Sequence, residues 1–167
     1  NTYQKEISMR ERFVRKIIPS IPLLSRTPLA PILDIADYFI KLKHPEWSHL
    51  PPASLRMRIG VGNNILRNHA YFIKSGKSTI EELSKKGYLD SKSRILELGC
   101  GCARNAMALM QFLDRDGEYT GLDVDKQMIG WCQSHLQNDR FHFCHANILS
   151  KVYNPHGKSI DGYKFPA

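Results

Sequence analysis

The feature that most restricts the fold of this chain is the segment RILELGCGCARNAMALM, residues 94–110. It begins as a short, mostly apolar strand pattern and then turns on Gly99 and Gly101. Beyond the turn, apolar residues recur at i, i+3, i+4 and i+7, which is one face of a helix: Ala106, Leu109, Met110 and Leu113. A strand that passes through a glycine turn into a helix predicts a parallel α/β sheet.

Two further strands complete the pattern. YTGLDV reads as a second strand, DKQMIGWCQSHLQN as a second helix with Asp125 as N-cap, and RFHFCHANI as a third strand. We therefore predict a βαβαβ unit with right-handed crossovers. In such sheets ligands bind beyond the carboxyl ends of the strands.

The residues before this unit have a helical character. Helices are predicted over 1–17, 32–42 and 62–75, and a further helix is expected to begin at Ser78. Ser78 and Glu81 have the spacing of a capping box, and Gly87 is placed to end that helix. We predict a helical N-terminal region over 1–90 and the sheet domain over 91–167.

Composition narrows the class of protein. The 167 residues are 42% hydrophobic and 24% charged, without a long uncharged apolar run. Neither a membrane span nor a signal peptide is indicated, so we expect a cytoplasmic location.

The formal net charge is +8, and residues 1–90 carry 15 Lys+Arg against 8 Asp+Glu. The front half is either a solvated helical surface or a surface for an acidic partner such as RNA or an anionic lipid.

The four cysteines are interpreted as free, buried thiols. Cys100, Cys102, Cys132 and Cys144 match no common zinc spacing, and two of them lie inside the glycine turn. No metal site is predicted.

The polar residues of interest fall at the strand ends. Glu97 and Gly99 close the first strand, Asp123 closes the second, and Asn147 follows the third. An acid at the end of strand two can accept hydrogen bonds from ribose hydroxyls. A carboxylate before the glycines would repel a dinucleotide pyrophosphate, whereas a ligand with positive charge would be attracted.

The sequence here resembles the class I S-adenosylmethionine-dependent methyltransferases. LELGCGCARNA is similar to their first motif, GLDVD to their second and FCHANI to their third, over about residues 91–150. The segment LPPASLRMRIGVGN also resembles the leader of bacterial methyltransferases of unassigned substrate. The resemblance implies a Rossmann-like fold, methyl transfer and S-adenosylmethionine as the cofactor.

The resemblance also implies roles for individual residues. Glu97 would hold the methionine ammonium, Asp123 the ribose hydroxyls, and Asn147 the exocyclic amine of adenine. The backbone of Gly99, Cys100 and Gly101 would line the methionine and the ribose, and Val124 would lie against the adenine. Ala103 stands in the place of the family's third glycine. We expect it to begin the following helix with ordinary dihedral angles, so that Ala103→Gly would leave binding nearly intact.

Family members have a seven-stranded sheet, and this chain supplies material for strands one to three. We therefore expect the N-terminal portion of a methyltransferase, inactive alone and prone to associate through an incomplete sheet. The methyl acceptor and the catalytic residues are not indicated.

Two other classes stay open: a nicotinamide- or flavin-binding oxidoreductase half-domain, and a non-enzymatic binder of RNA or anionic surfaces. Glu97 and Arg104, the latter at the third glycine of G-x-G-x-x-G, oppose the oxidoreductase. The binder would use the basic N-terminal half.

Overall fold

The computed structural model describes residues 28–59, 68–161 and 163–164. The helix predicted over 1–17 and part of the one predicted over 62–75 lie outside these residues. The chain divides into two compact units, Asn1–Asn68 and His69–Ala167. The division falls before a long helix that the sequence had assigned to the N-terminal region, so this helix belongs with the sheet.

Within the first unit, the structure describes residues 28–59 and 68, and three helical elements lie there. Helix α1 covers Ala30–Lys43, a 3-10 helix covers Pro45–Trp47, and helix α2 covers Ala53–Arg56. Pro31 lies in the first turn of α1, where its missing N–H is not needed. The helix predicted over 32–42 is therefore confirmed.

Two charged side chains of helix α1, Asp37 and Lys41, are buried and half-buried respectively. Asp37 is buried and forms an ion pair with the buried guanidinium of Arg56, at 2.6 Å between Oδ1 and Nη2. Lys41 adds a contact of 3.2 Å to the same carboxylate, and burial lowers the pKa of its ammonium. The exposed apolar residues of the helix include Ile32, Ile35, Phe39 and Leu42. The described part of the first unit thus contains a buried ion pair beside α1.

The second unit contains a parallel sheet. Strands β1 (Arg94–Leu98), β2 (Glu118–Asp123) and β3 (Phe141–His145) lie in the order β1-β2-β3. Helix α4 (Arg104–Phe112) connects β1 to β2, and helix α5 (Lys126–His135) connects β2 to β3. The predicted βαβαβ unit is confirmed.

The two sides of the sheet differ in burial at β1. Ile95 packs against the core, and Glu97 on the same side is half-buried, whereas Leu96 and Leu98 on the other side are 56% and 65% exposed. The centre of the core is aromatic, because the Tyr119 ring stacks on Phe141 at 5.5 Å between centroids. The apolar stripes predicted for α4 and α5 supply much of the remainder, including Ala106, Leu109, Leu113, Ile129 and Cys132.

Helix α3 (His69–Lys85) precedes the sheet as one continuous helix. The prediction of a helix start at Ser78 is therefore wrong. Phe72, Gly76 and Ile80 are buried at i, i+4 and i+8 and form a stripe that continues through the expected break. This tertiary packing outweighs the local capping pattern. Gly87, with φ of 73°, follows the helix as predicted.

Gly76 lets α3 approach the start of α4 closely. A Cβ at this position would lie 2.4 Å from the main-chain oxygen of Arg104, a distance that real Cβ atoms do not show. Because the obstacle is backbone, it cannot move aside by a change of rotamer. The contact therefore requires glycine and fixes where α4 begins.

We predict that Gly76→Ala destabilises the protein by about 1–3 kcal/mol, since overpacking would force the two helices apart. The matched control is Gly130→Ala. Gly130 lies within α5, where a Cβ would meet nothing within 4 Å. That change should stabilise by up to about 1 kcal/mol, because alanine is the better helix former. Urea unfolding of the two variants measures both effects; equal effects would contradict the proposed close approach.

Candidate functional site

The turn between β1 and α4 is built on glycine. Gly99 and Gly101 have φ angles of 81° and 56°, in the region that favours glycine. The backbone N–H groups of Gly99 and Cys100 both donate to the carbonyl oxygen of Leu122, at 2.7 and 3.0 Å. A Cβ at Gly99 would meet nothing within 4 Å, so the space beside this residue is open. The turn is held from one side and leaves room at Gly99.

Ala103 corrects one expectation. Its φ and ψ are 67° and 30°, the left-handed conformation, and it is the N-cap of α4. The prediction of ordinary helical dihedral angles is therefore wrong. The third position of the motif does require positive φ, and alanine occupies it with strain of about 1–2 kcal/mol.

We now predict that Ala103→Gly stabilises the protein by about 0.5–1 kcal/mol. The change relieves the left-handed strain, and the greater freedom of glycine in the unfolded chain offsets part of the gain. Urea unfolding measures the difference, with Ala108→Gly, inside helix α4, as the control that should destabilise. Destabilisation by both changes would contradict the strained conformation.

Asp123 joins the two turns at the carboxyl end of the sheet. Its Oδ2 accepts a hydrogen bond from the Gly101 N–H at 2.8 Å, and its Oδ1 accepts one from the Asp125 N–H at 2.7 Å. Each carboxylate oxygen has a second acceptor position. The half-buried side chain can therefore hold the glycine turn and also accept hydrogen bonds from a ligand.

Asp125 acts as the N-cap of α5, as predicted. Its Oδ1 accepts hydrogen bonds from the N–H groups of Gln127 and Met128, at 3.0 and 3.3 Å. These contacts satisfy donors in the first turn that have no partner within the helix. The neighbouring acids 123 and 125 thus have separate tasks.

Glu97 is held by two neutral donors. Its Oε2 accepts from the Tyr119 hydroxyl at 2.6 Å, and its Oε1 accepts from the Asn105 amide nitrogen at 2.7 Å. Asn105 is the second residue of α4, so the carboxylate lies at the start of that helix. Burial and, after it, the charge of Glu97 raise the pKa of Tyr119. The phenol therefore stays protonated and remains a donor.

Val124 and Asn147 lie beyond the ends of β2 and β3. The Val124 carbonyl oxygen is 3.2 Å from Nε2 of His145. Asn147 is exposed, and its Oδ1 accepts from the Asn154 amide nitrogen at 3.1 Å. It borders a surface pocket that Lys158, Ser159 and Tyr163 also line. Hydrogen bonding thus joins Gly101 and Asp123, whereas Asn147 is bonded within its own loop.

Two thiols lie behind the glycine turn. The sulfur atoms of Cys100 and Cys132 are 3.8 and 3.7 Å from the carbonyl oxygen of Gly101. Burial raises the pKa of both thiols, so they stay protonated. Among the residues with described coordinates, no group of three or more His, Cys, Asp or Glu side chains is placed to hold a metal ion.

Sequence reasoning missed the two donors to Glu97. Tyr119 resembled an ordinary core residue of a strand, and Asn105 an ordinary polar residue of a helix. One signal was present in the sequence: Gly121 is a glycine inside a strand, which often marks a close approach, and in the structure it pairs in register with Glu97. A Cβ at Gly121 would lie 2.8 Å from the Tyr119 hydroxyl oxygen, so glycine there makes room for the phenol.

The strand order, the connecting helices and the glycine turn define a Rossmann-like α/β half-domain. Residues 95–162 match the family described as "Methyltransferase domain". The matched residues include the segments on which the resemblance of the motifs rests, and that resemblance is confirmed.

A comparison with solved structures matches this chain to a crystal structure of coclaurine N-methyltransferase bound to N-methylheliamine and SAH, with a TM-score of 0.37 and 9% sequence identity. The match covers 83% of this chain and 44% of that chain. This chain thus spans less than half the length of that enzyme.

Among the residues that the structure describes, no helix is both long enough and apolar enough to cross a bilayer.

Proposed function

We propose that this chain binds S-adenosylmethionine at the carboxyl ends of its three strands and belongs to an enzyme that transfers the methyl group. The observation that carries this proposal is the convergence of the glycine turn with two carboxylates. Gly101 donates to Asp123 across the end of the sheet, and Glu97 lies beside the start of α4. When bound, the cofactor supplies a methyl group on a sulfonium centre.

The position of Glu97 favours a cationic ligand over a dinucleotide. A pyrophosphate would normally occupy the helix N-terminus, where partial positive charge and free N–H groups attract anions. Here the Glu97 carboxylate already accepts a hydrogen bond from the side chain of Asn105, the second residue of that helix. A second anion there would be repelled, whereas the ammonium of a methionine moiety would be attracted.

The proposed roles of Glu97 and Asp123 follow from the acceptor positions that their existing hydrogen bonds leave unused. Glu97 and Asp123 each have a second acceptor position on both carboxylate oxygens, for the ammonium and the ribose hydroxyls respectively. The open space at Gly99 admits the cofactor beside the backbone of Gly99, Cys100 and Gly101. Val124 would lie against the adenine.

Asn147, proposed to contact the adenine amine, already has a hydrogen-bond partner. Its amide oxygen would accept from the adenine amine only if the hydrogen bond from Asn154 were shared or released. The methyl acceptor is a further partner and is unassigned. We also propose that the basic N-terminal half contacts an acidic partner.

We expect the protein to bind S-adenosylhomocysteine and not NAD. The measurement is calorimetric titration of the full chain with S-adenosylhomocysteine, NAD, FAD and a single-stranded RNA in parallel. Binding of NAD or FAD without S-adenosylhomocysteine would overturn the proposal in favour of an oxidoreductase, and binding of RNA alone would favour a non-enzymatic binder.

We predict that Asp123→Ala weakens S-adenosylhomocysteine binding by about 1.5–3 kcal/mol, the range for hydrogen bonds to a charged group. The control is Asp125→Ala, which should destabilise the protein by about 0.5–2 kcal/mol through loss of the N-cap but leave the dissociation constant nearly unchanged. Calorimetry and urea unfolding of both variants separate the effects. A larger binding loss in Asp125→Ala would show that the ribose carboxylate is misassigned.

A further inference from the structure

Glu97 is fixed by two side chains that reach it from different elements. Tyr119 comes from β2 and Asn105 from the first turn of α4, and each donates to a different oxygen of the carboxylate. Because the hydrogen bonds converge from two directions, they restrict both the position of the carboxylate and its rotation.

The surrounding structure maintains the Tyr119 donor at several points. The side chain is fully buried, with 0% exposure, and its ring packs between Phe141 and Phe143, at 5.5 and 5.8 Å. Gly121, which pairs with Glu97, leaves the space into which the hydroxyl points. A buried hydroxyl requires a partner, and here that partner is the carboxylate.

The orientation of Asn105 also follows from Glu97. Its amide nitrogen donates to the carboxylate, while its amide oxygen is buried without a hydrogen-bond partner in the structure as described. Leaving a buried acceptor unsatisfied is unfavourable by about 1–3 kcal/mol. The opposite orientation would place that oxygen against the carboxylate, which is worse. The amide is therefore arranged to serve Glu97.

We propose that Tyr119 and Asn105 are positioning residues that hold the Glu97 carboxylate ready for the ammonium of the cofactor. This inference rests on the proposed function. The two donors consume one acceptor position on each oxygen and leave the other for the ligand. Preorganisation of this kind favours binding because the side chain is not ordered again when the ligand arrives.

The test compares two ligands that differ in the relevant group. S-adenosylhomocysteine carries the amino-acid ammonium, whereas 5′-methylthioadenosine keeps the adenine and ribose but lacks it. Tyr119→Phe preserves the ring packing and removes only the hydroxyl. We expect its affinity for S-adenosylhomocysteine to fall by about 2- to 12-fold, as for one side chain left unordered. Its affinity for 5′-methylthioadenosine should not change.

The control variant is Tyr88→Phe, at a tyrosine that is 76% exposed, and it should leave both affinities unchanged. Asn105→Ala is the second variant and should show the same selective loss as Tyr119→Phe. In a Glu97→Gln background, the further addition of Tyr119→Phe should have little effect on S-adenosylhomocysteine binding, because the group that it positions is already altered.

Equal losses for the two ligands would overturn the inference, since they would indicate general damage to the turn. Unchanged S-adenosylhomocysteine binding in Tyr119→Phe, with binding intact in the wild type, would overturn the positioning role alone. Failure of the wild-type chain to bind either ligand would overturn the proposed function and with it this assignment.

Discussion

The geometry of the candidate site depends on the carboxylate of Asp123. It lies where β2 ends and accepts one backbone N–H from the glycine turn and one from the turn that starts α5. These two turns belong to different strand-to-helix connections, and a single side chain sets their separation. Because both donors are backbone groups, the arrangement depends on the chain path as well as on the residue. The carbonyl of Leu122, one residue earlier, holds the other side of the glycine turn. The end of β2 is therefore the organising point of the site.

The sheet and its order of elements could be predicted because local and long-range preferences agree there. The strand, the glycine turn and the apolar helix face of 94–110 all favour one structure. The N-cap role of Asp125 could also be predicted, since an acid directly before a helix accepts hydrogen bonds from the N–H groups of the first turn. Glu97, Gly99, Gly101 and Asp123 were located correctly at the ends of their strands for the same reason. Their contacts to ligand remain predictions.

The errors came from places where packing decides against a local pattern. Ser78 and Glu81 have capping-box spacing, yet α3 continues through them because Phe72, Gly76 and Ile80 form one buried stripe. At Ala103 the residue type suggested ordinary dihedral angles, but the chain must turn left-handed there. Tyr119 and Asn105 were missed because their hydrogen bonds to Glu97 depend on how β2 and α4 lie against β1. The Tyr119 contact follows from the register between β1 and β2, and the Asn105 contact from the path of the glycine turn; sequence periodicity alone supplies neither.

The buried thiols have a consequence for the chemical reactivity of the folded chain. The thiolate is the form that attacks an alkylating reagent, and burial of Cys100 and Cys132 keeps these groups protonated as well as covered. Cys102 is likewise buried, whereas Cys144 is half-buried at the end of β3. Carboxamidomethylation would therefore begin at Cys144, and modification of Cys100 and Cys102 would require the glycine turn to open. The delay between modification of Cys144 and modification of Cys100 and Cys102 therefore reports how often the glycine turn opens.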